Sequence, residues 1–90
     1  MSEILIQSND LRQAADQFKD ISKDMIVNTK KMDETMLSLE RKWSGASQQV
    51  FYQKYKDLHQ AMEGISLLLK NIGDEMYLLA ERINKIDMEE

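Results

Sequence analysis

The stretch that decides the fold is FYQKYKDLHQAMEGISLLLKNIGDEMYLLAERINKI, at residues 51–86. Its apolar and aromatic side chains recur at alternating steps of four and three residues, the spacing of helices that pack as in a coiled coil. All eleven positions are apolar or aromatic, although a chain with 42% hydrophobic residues would give about five by chance. The pattern predicts a helix from about residue 47 to about residue 87, with its seam at Phe51, Tyr55, Leu58, Met62, Ile65, Leu69, Ile72, Met76, Leu79, Ile83 and Ile86.

Residues 8–42 predict a first helix with no Gly or Pro inside it. Ser8 or Asn9 can cap its first turn, and Asp10 suits the positive end of the helix dipole. Arg41 and Lys42 are expected in its last turn, where positive charge is favourable. An apolar side chain recurs every seven residues along this helix, at Leu11, Phe18, Met25, Met32 and Leu39.

A companion apolar line on the first helix is expected to shift by one residue halfway along. It begins with Ala14 and Ile21 and continues with Met36 and Trp43. The shift falls near residues 28–29, and we expect the packing to be poorest there.

A short break separates the two helices, with a turn predicted at about residues 43–46. Gly45 can take the left-handed conformation that ends a helix, and Ser44 or Ser47 can cap the next one. Two long helices joined by so short a break form an antiparallel hairpin. We therefore predict an all-α helix-turn-helix hairpin that occupies residues 1–90 as one domain.

One hairpin is expected to be only marginally stable alone, because a chain of 90 residues buries roughly two-thirds of its unfolded surface and, without cysteine, carries no disulfide. A line of small residues, Ser66, Gly73 and Ala80, would let a neighbouring helix approach closely. Two hairpins that pack as a four-helix bundle would cover most of the apolar residues outside the seam of the second helix. We therefore predict a dimer. The residues outside the seam are Val50, Leu67, Leu68, Tyr77 and Leu78.

Several functions are excluded by composition and motif. A net charge of −4 argues against nucleic-acid binding, and the longest apolar run, residues 65–69, is too short to span a bilayer. Residues 1–7 lack the basic and apolar regions of a secretory signal peptide, which predicts synthesis in the cytoplasm. No catalytic motif is visible, so we expect no enzymatic activity, no cofactor and no metal. His59 with Glu63 supplies too few metal ligands, and the acidic pairs at residues 33–34 and 74–75 are interpreted as solvated charge.

Trp43-Ser44-Gly45 at the midpoint of the chain, between two amphipathic helices, resembles the WXG family of about one hundred residues. Members of that family are substrates of type VII secretion. The resemblance implies a bacterial, non-enzymatic protein that is secreted as a folded dimer without a cleaved signal peptide. It implies partnership with itself or with a paralogous WXG protein, recognition by an export ATPase, and a role as effector or as carrier of another substrate.

The family's second export element, Tyr-x-x-x-Asp/Glu, is matched by Tyr77 and Glu81. The resemblance implies that Trp43 and Gly45 of one subunit lie beside Tyr77 and Glu81 of its dimer partner as a composite signal. Here the motif falls inside the predicted helix, and Ile83 with Asp87 offers a competing register without the tyrosine.

Two other interpretations remain open from the sequence. The chain could be an intracellular coiled-coil adaptor or chaperone that is never exported, or one half of an obligate heterodimer. The choice between homodimer and heterodimer, and the relative orientation of the two hairpins, also remain open.

Overall fold

The computed structural model describes residues 6–89, with side chains described through Ile86. It consists of two helices, α1 at Ser8–Glu40 and α2 at Ala46–Glu89, that pack against each other in a rod of 68 × 21 × 15 Å. Residues 6–89 contain no strand. The predicted all-α helix-turn-helix hairpin is confirmed. Most of the stretch behind the signal-peptide expectation, and the side chain of Asp87, lie outside the described residues.

The ends of α1 differ from the sequence expectation in two details. Gln7, rather than Ser8 or Asn9, is the residue that precedes the helix, and its backbone N–H donates to Asp10 Oδ2 at 3.1 Å. Asp10 thus closes the first turn and lies at the positive end of the dipole, as predicted. At the other end α1 stops at Glu40, so Arg41 and Lys42 follow the last turn instead of belonging to it.

The face of α1 that packs against α2 follows one unbroken seven-residue pattern. The predicted shift of the companion line is wrong, because Ile21 is 49% exposed and the buried positions continue in register. The half-buried Phe18, Met25 and Met32 alternate with a buried line at Ala15, Ser22, Thr29 and Met36.

This buried line is not evident from the spacing of apolar residues in the sequence, because two of its members carry hydroxyl side chains. Ser22 Oγ donates to the carbonyl of Ser66 on α2 at 2.7 Å, and Thr29 Oγ1 donates to the carbonyl of Met25 at 2.8 Å. A hydrogen-bonded hydroxyl can be buried without the cost of an unsatisfied group. Thr29 therefore belongs to a continuous interface rather than to a break in it.

On α2 the interface with α1 uses only one of the two apolar lines of the predicted seam. Tyr55, Met62, Leu69, Met76 and Ile83 are buried or half-buried. They alternate with a second line of mostly small residues at His59, Ser66, Gly73 and Ala80.

Close helix packing explains the glycine in that second line. A Cβ at Gly73 would lie 2.9 Å from Lys19 Cγ and 3.1 Å from the carbonyl oxygen of Ala15. Any larger residue would therefore force the helices apart or displace Lys19. The packing role that the sequence suggested for this small-residue line is confirmed at Gly73.

The other apolar line of the seam faces away from α1. We call this surface the open face; its large aliphatic members that are exposed, each 44–49% accessible, are Leu58, Ile65, Leu79 and Ile86, with the half-buried Ile72 among them. Phe51 and Leu39 are also exposed, nearer the turn. No large side chain described through Ile86 is fully buried, so the hairpin alone has no closed core. Over the residues described, neither helix is long and apolar enough to cross a bilayer.

Candidate functional site

The turn between the helices is built around one glycine conformation. Gly45 has a φ of +105°, the only positive φ among the described residues. Its carbonyl accepts the N–H of Gln49 at 3.2 Å, which opens α2. No heavy atom lies within 4 Å of the position that a Cβ would occupy, so glycine is required here for its backbone and not for space.

Trp43 is held against the first turns of α2. Its indole N–H donates to Ser47 Oγ at 3.1 Å, and its ring centroid lies 5.5 Å from that of Phe51. Ser47 therefore binds the tryptophan. The expectation that Ser44 or Ser47 caps α2 is not met, because Gly45 is the residue that precedes the helix.

Tyr77, of the second motif, is bound to α1 of its own chain. Its hydroxyl donates to Asp16 Oδ1, and Lys19 Nζ lies 4.7 Å from its ring centroid. Lys19 also forms an ion pair with Asp74 at 2.8 Å. We call these four residues the terminal clasp. Glu81, one turn further along α2, is exposed.

The charges of the terminal clasp support one another. The hydrogen bond to Asp16 raises the pKa of Tyr77, because ionised tyrosine would lose that bond. Hydrogen bonding with Asp74 raises the pKa of Lys19, and the same contact lowers the pKa of Asp74. All three groups therefore keep their charge state across the physiological pH range.

A second polar cluster joins the helices nearer the turn. Tyr55 donates to Asp33 Oδ1, the Nδ1 of His59 lies 3.0 Å from the same oxygen, and the Nε2 of His59 contacts Glu63. We call these four residues the turn clasp. It lines a groove of about 550 Å³ between the helices, whose walls include Met36, Leu37 and Tyr52.

The chemistry of imidazole makes the turn clasp sensitive to protonation. Neutral His59 has one N–H and one lone pair, whereas each carboxylate it touches can only accept. Both contacts are satisfied together only by the imidazolium. Desolvation opposes the charge, but the hydrogen bonds and charges of Asp33 and Glu63 outweigh it and raise the pKa of His59.

Neither clasp was predicted from the sequence. The expectation that Asp33 and Asp74 are merely solvated is wrong, since each is bound across or along the helix interface. His59 is likewise half-buried in the interface. The two sets of motif residues lie at opposite ends of one hairpin, because Tyr77 is about 46 Å along α2 from Ala46 at a rise of 1.5 Å per residue.

Comparison with known proteins places this hairpin among a defined group. The sequence matches the model of WXG100, "Proteins of 100 residues with WXG", over residues 3–88. EsxA of Geobacillus thermodenitrificans superposes with a TM-score of 0.87 at 25% identity, covering 97% of this chain and 95% of that one. The secreted protein EsxB of Bacillus anthracis superposes with a TM-score of 0.85 at 26% identity, covering 97% and 99%. No curated protein matches the sequence.

Proposed function

The chain belongs to the WXG100 family, and from this premise we propose that it is a non-enzymatic protein exported as a folded dimer by a type VII secretion machine. In that role it acts as an effector or as a carrier of another substrate. The observation that carries the proposal is the Trp43-Ser44-Gly45 turn between two long helices, within a family match over residues 3–88. The similar EsxB, described as a secreted protein, supports the same role.

The open face supports dimerisation. Four large aliphatic side chains of α2 lie almost half exposed along one side of the hairpin, while no large side chain described through Ile86 is fully buried between α1 and α2. Burying such a face against a second hairpin contributes about 25 cal/mol per Å² of apolar surface, which a marginal 90-residue chain needs. The partner is a second copy or a paralogous WXG protein.

The charge distribution favours an antiparallel arrangement of the two hairpins. Residues 30–56, around the turn, carry six basic and three acidic side chains, so this end is positive. Residues 8–20 and 74–89, at the other end, carry four basic and eight acidic side chains, so that end is negative. Antiparallel packing places opposite charges together, and like ends repel in the parallel arrangement.

The same orientation supports a composite export signal. One hairpin keeps Trp43 and Gly45 far from Tyr77 and Glu81, but antiparallel packing brings the turn of one subunit to the terminal end of the other. An export ATPase would then read the aromatic residues of both ends together.

Replacement of the two aromatic motif residues tests the proposed function. Trp43→Ala and Tyr77→Ala are expected to abolish appearance of the protein in washed culture supernatant while circular dichroism and sedimentation stay those of a helical dimer. Tyr52→Ala, which removes an exposed aromatic from α2 outside both motifs, is the matched control and should be exported normally.

Two outcomes would contradict the proposal, and a third would decide between its two possible partners. Normal export of both motif variants would remove the recognition mechanism. Absence of the wild-type chain from supernatant free of lysis markers would favour an intracellular adaptor. A monomer in analytical ultracentrifugation of the chain expressed alone would exclude the homodimer and leave the paralogous partner.

A further inference from the structure

The hydroxyl of Tyr77 is already engaged inside the hairpin. A tyrosine hydroxyl has a single proton to donate, and here that proton goes to Asp16 on α1. Lys19 lies over the face of the ring and holds Asp74 at the same time. A partner that approaches this surface therefore meets a ring with Lys19 on one face and a hydroxyl whose proton is already donated.

Gly73 makes this arrangement possible. The Cγ of Lys19 lies 2.9 Å from where a Cβ of residue 73 would be, so the aliphatic part of the lysine crosses directly over the glycine. From there its ammonium group reaches both Asp74 and Tyr77. The position of Lys19 beside Tyr77 therefore depends on the absence of a side chain at Gly73.

We propose that Asp16 and Lys19 are positioning residues for the export signal, which hold the Tyr77 ring in one orientation so that the partner reads it together with the exposed Glu81 carboxylate. The inference rests on the proposed function, because it assigns these contacts to a signal that contains Tyr77. The matching partner surface offers an apolar contact for the ring and a cationic group for Glu81. The signal is therefore a surface of two helices and not a linear motif of α2.

The size of the effect follows from rotamer populations. Without Asp16 the Tyr77 side chain is free to occupy two or three staggered χ1 wells instead of one. Apparent affinity falls with the fraction of molecules in the competent orientation, so recognition weakens about two- to threefold. Raising the concentration of the chain compensates for such a loss, because each correctly oriented molecule is still recognised.

A double-mutant cycle in the producing bacterium tests the inference. At native expression, Asp16→Ala and Tyr77→Phe should each lower the ratio of secreted to cell-associated protein about two- to threefold. The double variant should lose no more than either single one, since both changes remove the same bond. Overproduction should restore export of all three.

Two further variants separate positioning from general stability. Asp16→Asn keeps an acceptor oxygen and should restore export, and Asp20→Ala, which removes an exposed carboxylate one turn along α1, should leave it unchanged. By NMR titration, the raised pKa of Tyr77 should return towards its ordinary value in Asp16→Ala but not in Asp20→Ala.

The outcomes distinguish this inference from the proposed function. If Tyr77→Ala blocks export while Asp16→Ala is exported like wild type, the signal stands and the positioning role is wrong. If the losses of Asp16→Ala and Tyr77→Phe multiply in the double variant, the partner binds the hydroxyl itself and the inference is again wrong. If Tyr77→Ala and Trp43→Ala are both exported normally, the proposed function fails.

Discussion

The turn clasp and the terminal clasp both join α1 to α2, but they use different side chains to do so. In each, a tyrosine of α2 donates to an aspartate of α1, at Tyr55–Asp33 in one and Tyr77–Asp16 in the other. The terminal clasp adds a lysine and lies beside Gly73, where the helices leave no space for a Cβ. The turn clasp adds His59 and lies along an open groove. One end of the hairpin is thus held by a lysine ammonium group and close packing, the other by an imidazole whose pKa is raised above its ordinary value by Asp33 and Glu63.

The largest expected effect comes from the glycines, which mark the difference in packing. Gly73→Ala should destabilise the hairpin by about 1 to 3 kcal/mol, because the added methyl overlaps Lys19 and the Ala15 carbonyl. Gly64→Ala is the matched control, since no heavy atom lies within 4 Å of its Cβ position, and should stabilise the helix by about 0.5 to 1 kcal/mol. Urea unfolding measures both. Equal effects would show that the two halves of α2 pack alike.

The next effect concerns the two aspartates. Asp33 contacts both Tyr55 and His59, whereas Asp16 binds Tyr77 alone, so Asp33→Ala should lower the Tm more than Asp16→Ala. Desolvation, together with Asp33, raises the pKa of Tyr55 to about 12, and Asp33→Ala should move it down towards 10 in a spectrophotometric titration. Glu34→Ala, which removes the exposed neighbour, should change neither quantity.

The smallest effect is the response to pH, which should be confined to the turn clasp. Because the folded-state pKa of His59 is raised above its ordinary 6.5, the clasp contributes stability fully below that value and loses it as pH rises through the folded pKa. His59→Gln should flatten the dependence of Tm on pH above 6. In the terminal clasp Lys19→Met should lower Tm equally at every pH from 5 to 8. A pH response that persists in His59→Gln would place its origin elsewhere.

The hairpin could be predicted from the sequence because every seam position of α2 is apolar or aromatic. The buried line of α1 was not predicted because two of its members, Ser22 and Thr29, are polar. Their hydroxyl groups donate hydrogen bonds within the interface, so they can be buried there. The clasps were missed for a similar reason, since a charged residue beside a seam looks like any solvated residue until its partner on the other helix is known.

The register of the hairpin could have revealed those partners. The hydrogen bonds and the ion pair between the helices join positions whose numbers add up to between 88 and 93, from Ser22–Ser66 to Asp16–Tyr77. Antiparallel helices that turn at Gly45 must pair in this way, so the position of the turn alone sets tyrosines 55 and 77 opposite acidic residues of α1. The open face is different. The seam pattern of α2 predicts which of its two apolar lines is exposed only when the buried line of α1 is also known.

Gly45 has one more consequence, which concerns handedness. Its positive φ is unfavourable for an L-residue but favourable for a D-residue. No heavy atom lies within 4 Å of the position of an added Cβ. A chemically synthesised chain with D-alanine at this position would keep the native bend. It would also restrict the unfolded chain, so its melting temperature should exceed that of the natural one.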